Sequence, residues 1–390
     1  MTIPGVSVLL SALPLPAAVV IPDPDPVPLP GPIGLLWFLL LLTVVLHFLL
    51  MNGLVGGTTM LLASHLRLRG AVGETAVHHR RLVQVLARAL PAGLAFTITL
   101  GIAPLLFVQV LYGPLFFSSA VLMAWPWLIL VGLVLVAYYA AYLHAYQHEA
   151  PGKLAGWLTA LILVLVLTVA FLFTNALSLL QSPEAWHGLY ARDRLGLIVY
   201  AVHEPRVWLR LLHFLFAPAA LTGLAVALVA WARRRAAPSF AGWATRYGAR
   251  WFVWGTLLQA GSGVLFLLGQ PARVRESLLG ATARDAVALG LAVVCAALAV
   301  LLLALAQQPT GPRLFFSAAT IGITVLLMVF LRQRVRTLAL APHFRYDALA
   351  VQPQWGAIVL FALLLVAGLV LVGWMVWKFG RSPGSRAPSG

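Results

Sequence analysis

The sequence predicts an all-α polytopic membrane protein, with nine transmembrane helices as two parallel-repeated four-helix bundles plus one C-terminal helix. Three observations lead there. Of 390 residues, 62% are hydrophobic and only 9% charged, where a soluble chain carries about a quarter charged. Apolar stretches long enough to cross a bilayer, roughly 20 residues each, fall at 33–62, 91–117, 119–146, 154–180, 208–232, 251–269, 283–307, 314–331 and 355–377. The alternating polar and apolar segments that would build a membrane β-barrel are absent from the sequence.

Taken in order, residues 1–32 read as an extracytoplasmic Pro-rich lead segment. Its first 21 residues are apolar but lack a basic start, and "PDPDPVPLPGP" (22–32) is a stiff polyproline-like entry to the first helix. The first four-helix bundle spans 33–180 and the second 207–335. A ninth helix (355–378) and a cytoplasmic tail (379–390) complete the chain.

The net charge is +16, and its placement explains it. Residues 1–32 hold no Lys or Arg, while Arg67, Arg69, Arg80, Arg81 and Arg88 fill a predicted loop over 64–90. Arg233, Arg234, Arg235, Arg246 and Arg250 follow the fifth helix. The positive-inside rule then sets the N-terminus outside and the C-terminus in the cytoplasm of a bacterial-type inner membrane. The basicity reads as topology and contact with anionic lipid of the bilayer, not as nucleic-acid binding. Cys295 is the one cysteine, which excludes disulfides within the chain, a thiolate metal site and covalent heme attachment.

Each bundle opens on the same pattern. "LHFLLMNGLVGG" (46–57) and "LHFLFAPAALTG" (212–223) share Leu, His, Phe and Leu and close on glycine, at an offset of 166 residues. Four helices per unit give both copies one orientation, hence a parallel repeat rather than the inverted repeat of many transporters. His47 and His213 thus sit at matching places inside apolar helices. Two readings are open for each: an imidazole bonded to a backbone carbonyl or a serine on the next helix, or a heme iron ligand.

The other histidines carry less. His65, His78, His79, His187, His203 and His343 fall in predicted loops or at helix ends, where a solvated role is the ordinary one. His144 and His148 share one face at the end of the third helix, and either an interface role or cofactor binding is open to them. By helix rise His144 lies roughly 15 Å deeper than His47, a poor separation for two ligands of one heme. Met328 falls at a depth like that of His213, which makes a His/Met heme geometrically available, although core filling suits methionine equally. Arg206 and Arg210 suit heme propionates or the ordinary interface.

These residues resemble a known family. "HFLLMNGLVGG" and above all "HFLFAPAALTG" are similar to the His-Phe-Leu-Phe signature of subunit I of the cytochrome bd quinol oxidases. "LLQSP" (179–183) resembles that family's exit from helix 4 through Gln181 and Pro183. The Arg-Gln pair at 332–333 resembles its Gly-Arg-Gln-Pro-Trp motif, and Arg284 the arginine that opens helix 7. The resemblance implies nine helices, a high-spin heme on His47, a low-spin heme b on His213, and quinol as substrate.

The departures bear on function. No Asp or Glu stands between Glu74 and Glu149, and Trp125 is near the place of a family acid. The carboxylate ligand before the Arg-Gln pair is missing, and Asp285 and Ala286 follow Arg284 where a methionine is expected. The quinol loop shrinks to "GQPARVRESLLGA". An oxygen reductase must deliver protons to a buried heme, and carboxylates are the usual relay. The expectation is a heme b subunit passing electrons from quinol to a partner redox protein, either a cytochrome c or a second bd-type subunit. The rivals are a catalytic quinol:oxygen oxidoreductase and a heme-free transporter or scaffold.

Overall fold

A computed structural model describes residues 21, 28–146 and 153–381; most of the lead segment, His148 and the tail from 382 lie outside the described residues. Among these, nine helices are long and apolar enough to span a membrane. We label them α1 (Ile33–Arg67), α2 (Gly73–Leu111), α3 (Ala124–Tyr146), α4 (Lys153–Leu180), α5 (Arg206–Ala232), α6 (Pro238–Leu268), α7 (Ala283–Ala304), α8 (Gly311–Leu340) and α9 (Trp355–Arg381). Helix satisfies every backbone group within the segment, as hydrocarbon demands. Polar side chains follow suit: Thr43, Thr58, Thr97 and Ser178 each donate to the carbonyl four residues back.

Helices α1–α4 close one ring of neighbours and α5–α8 another, joined chiefly through α1 against α5. Small residues make the close approaches, as membrane helix packing favours. Between α5 and α6, a Cβ at Gly223 would meet the Gly248 carbonyl at 2.6 Å, and one at Gly255 would meet the Ala220 nitrogen at 2.6 Å. At the α1–α5 crossing Gly56 lies against the Pro218 carbonyl and the Thr222 hydroxyl. Thr222 also donates to the Asn52 carbonyl at 3.0 Å.

Several sequence expectations are corrected here. The second helix begins at Gly73, not near 91, so most of the expected 64–90 loop is helical and only a short turn separates α1 from α2. His65, His78 and His79 are therefore buried on helices rather than solvated. The expected span 119–146 is two pieces, a short helix Gly113–Leu122 and α3, and Pro104 lies inside a continuous α2. Helix α6 starts at Pro238, and α8 runs on to Leu340.

The Leu29 side of the molecule is capped. Trp186 donates to the Leu179 carbonyl, the Ala201 amide donates to Asn175 Oδ1, and Trp208 donates to the Ala201 carbonyl. Leu29 and Val351 form an isolated parallel bridge that ties the entry of α1 to the entry of α9. Asp285, fully buried, joins α7 to α8 by accepting from Arg334 at 3.0 Å and from Ser277 at 3.0 Å.

Two outcomes follow for stability in detergent. Gly56→Val overpacks the α1–α5 crossing at a cost of about 1–3 kcal/mol, whereas Gly57→Val, which meets nothing within 4 Å, leaves the melting temperature nearly unchanged. Asp285→Ala strands Arg334 and costs about 2–3 kcal/mol, less than a fully buried pair because Arg334 keeps 18% exposure; Asp285→Asn falls between.

Candidate cofactor site

His47 lies fourteen residues into α1 and faces α2. Its Nδ1 is 3.1 Å from the Thr97 carbonyl. A carbonyl only accepts, so Nδ1 carries the proton and Nε2 keeps its lone pair. Gly101, one turn beyond Thr97, makes room for the ring: a Cβ there would stand 2.9 Å from His47 Cε1.

The second bundle repeats this arrangement. His213 on α5 faces α6, where a Cβ at Gly263 would stand 3.1 Å from His213 Cε1. Gln259, four residues before Gly263 as Thr97 is before Gly101, places its amide nitrogen 3.3 Å from Nδ1 and 3.2 Å from Nε2. Its Oε1 is buried with no partner among the described residues. Exchanging the two amide atoms would let the carbonyl oxygen accept the imidazole proton, an assignment that heavy-atom positions do not fix. Ser262 Oγ lies 3.5 Å from Nδ1.

Rings connect the two sites. Phe48 and Phe214, the residues after each histidine, meet at a centroid distance of 6.3 Å, and His213 stacks on Phe266 at 5.5 Å. Around this core stand three arginines. Arg210 donates to Ser178 Oγ and Gln181 Oε1 and lies over Phe266. Arg336, buried, donates to Gln333 while its Nε has no partner among the described residues, and Gln333 in turn donates to the Tyr112 hydroxyl. Arg332 lies over the Phe48 ring at 5.3 Å and has neither a hydrogen bond nor an ion pair among the described residues. The three repel one another, and no carboxylate pairs with any of them among the described residues. Beside Tyr112 a cavity of about 390 Å³ opens on the Leu29 side, with Arg273, Arg334 and Phe344 in its wall.

The remaining sequence candidates lie elsewhere. Arg206 is occupied by Glu204, whose carboxyl it holds below the usual carboxylate range through a 2.6 Å hydrogen bond. Because α8 reaches Leu340, Met328 is twelve residues from that end while His213 is seven from the start of α5, so the expected match in depth is lost. Met328 packs with the apolar cluster around Val274, Leu278 and Leu331. His144 sits at the other end of the first bundle, facing His65 and Thr159. Sequence reading missed Arg336, Thr97 and Gln259. The signal for Arg332 and Arg336 was present, since they continue an apolar helix with arginines one turn apart.

No family model matches this sequence, and no curated protein matches it. Among solved structures, the bd oxidase from Geobacillus thermodenitrificans has the same fold, with a TM-score of 0.70 over 92% of this chain and 100% of that one. The two are 12% identical, a likeness of fold alone. This chain is a multi-pass membrane protein with a bd-oxidase-like fold.

Proposed function

We propose that this chain is a heme b membrane subunit that passes electrons from a quinol to a partner redox protein. The observation that carries the proposal is the repeated site: His47 and His213, each against a glycine of the next helix, on either side of the Phe48–Phe214 contact, beside cations that lack counter-ions. The residues fit the group. The Nδ1–H bond to Thr97 fixes the tautomer in which Nε2 can ligate iron. Arg332 and the open Nε of Arg336 would receive propionates, with Arg210 held ready by Ser178 and Gln181. Bound heme would supply reversible one-electron chemistry.

The rest is the work of this chain's own side chains. Burial and the three arginines would tune the potential of a group held by the histidines, since positive charge favours the reduced state. The Phe48–Phe214 contact keeps the two sites close. The cavity beside Tyr112 has the volume of a small-molecule pocket and would admit a quinol headgroup. Electron transfer is favoured over oxygen reduction because α2 and α3 offer no carboxylate after Glu74, and the one fully buried carboxylate among the described residues, Asp285, is held by Arg334. A cytochrome c or a second bd-type subunit would take the electrons.

Purified protein is expected to give a reduced-minus-oxidised heme b spectrum, and His47→Ala and His213→Ala each to remove part of the pigment. A colourless protein, or full pigment in the double variant, would refute the proposal. Arg332→Gln should lower one midpoint potential by roughly 50 mV, equivalent to about 1 kcal/mol for one electron, read by spectroelectrochemical titration. Oxygen uptake with quinol that stops in His47→Ala would instead establish an oxidase.

A further inference from the structure

The two histidine sites are matched in backbone and differ in one side chain. Four residues before Gly101 on α2 and before Gly263 on α6 stand Thr97 and Gln259. Each turns its main-chain carbonyl toward the imidazole on the facing helix. The Thr97 hydroxyl is used on its own helix, donating to the Gly93 carbonyl at 2.7 Å. The Gln259 side chain instead reaches across to His213.

The His213 ring is held in place for this contact. Phe266 stacks on it with an interplanar angle of 3°, and Gly263 leaves room at its Cε1 edge. The Gln259 amide lies within hydrogen-bond reach of both ring nitrogens, so a small shift gives it either one. The two orientations of the amide do different things. With its nitrogen toward the ring it can only donate to the bare lone pair, the pair that iron on Nε2 would take. With its oxygen toward the ring it accepts from Nδ1–H, the proton that a ligating imidazole keeps. Only the second survives ligation. Ser262 is arranged to match: its hydroxyl donates to the Gln259 carbonyl at 3.0 Å, so toward Nδ1, 3.5 Å away, it can only accept.

We infer that Gln259 is a positioning residue that holds the Nδ1 proton of His213 and thereby sets the potential of the second site apart from that of the first. The inference rests on the heme reading above. An acceptor on Nδ1–H draws the proton outward and makes the ring a more anionic donor to iron, which favours the oxidised state. At His47 this is the work of a backbone carbonyl, which no substitution removes. At His213 a side chain adds to the carbonyl, and it can change while the carbonyl stays to keep the ring in its ligating tautomer. The second site can therefore be retuned without moving a helix.

The test uses the full pigmented chain in detergent and follows both midpoint potentials by spectroelectrochemical titration. The second site is the one whose absorbance disappears in His213→Ala. Gln259→Glu puts a stronger acceptor in the same place and should lower the second potential, by about tenfold in the reduction equilibrium or about 59 mV for one electron. Gln259→Leu removes the acceptor at similar volume and should raise it, by about threefold in the same equilibrium. The first potential should hold still in both. A second potential that ignores residue 259, or moves the same way in both variants, would overturn the inference, because a merely structural role gives no opposed pair. If one variant does not fold, a shift of the other against its stated direction, or no shift, has the same force. A colourless chain refutes the heme reading and this inference with it, whereas a coloured chain indifferent to residue 259 refutes this inference alone.

Discussion

The crossing of α1 over α5 is the constraint on which the rest depends. Gly56 has no side chain at the point where the two backbones come closest, and Thr222 spans the gap to the Asn52 carbonyl. Two turns along, this approach lets Phe48 meet Phe214, which in turn sets the separation of the two histidines. A bulky residue at 56 would part the helices and with them both bundles.

The second governing feature is uncompensated positive charge. Arginine cannot shed its proton in a protein, so three guanidinium groups near one another must be stabilised by something. Aromatic faces do part of this, at Phe48, Phe266 and Tyr112, each contact worth about 1–2 kcal/mol. Amide and hydroxyl oxygens do more for Arg210 and Arg336. Arg332 has the ring alone, and it is the residue whose environment most calls for an anion.

Hydropathy made the nine spans legible, because apolar length is what a bilayer selects. It misplaced their ends for a physical reason. Helix α2 carries Arg80, Arg81 and Arg88, α6 carries Arg246 and Arg250, and α8 carries Arg332, Arg334 and Arg336. A hydropathy window stops where charge begins, but arginine is a good helix former and the backbone continues. Hence His65 and His79 passed for loop residues. The pairing of His47 with Thr97 was legible only as an unnamed carbonyl on a neighbouring helix. Which neighbour it is depends on the glycines that set how closely α1 and α2 approach.

The geometry of α1 has a consequence for how this chain can vary. His47 and His65 are eighteen residues apart, which at 3.6 residues per turn is five whole turns and about 27 Å. Both therefore stand on one stripe, with Leu54, Thr58 and Leu61 between them. Inserting or deleting a single residue anywhere in that interval would swing one end by about 100° relative to the other. Lineages that keep both imidazoles in place can lengthen or shorten this helix only outside the interval, or by compensated steps.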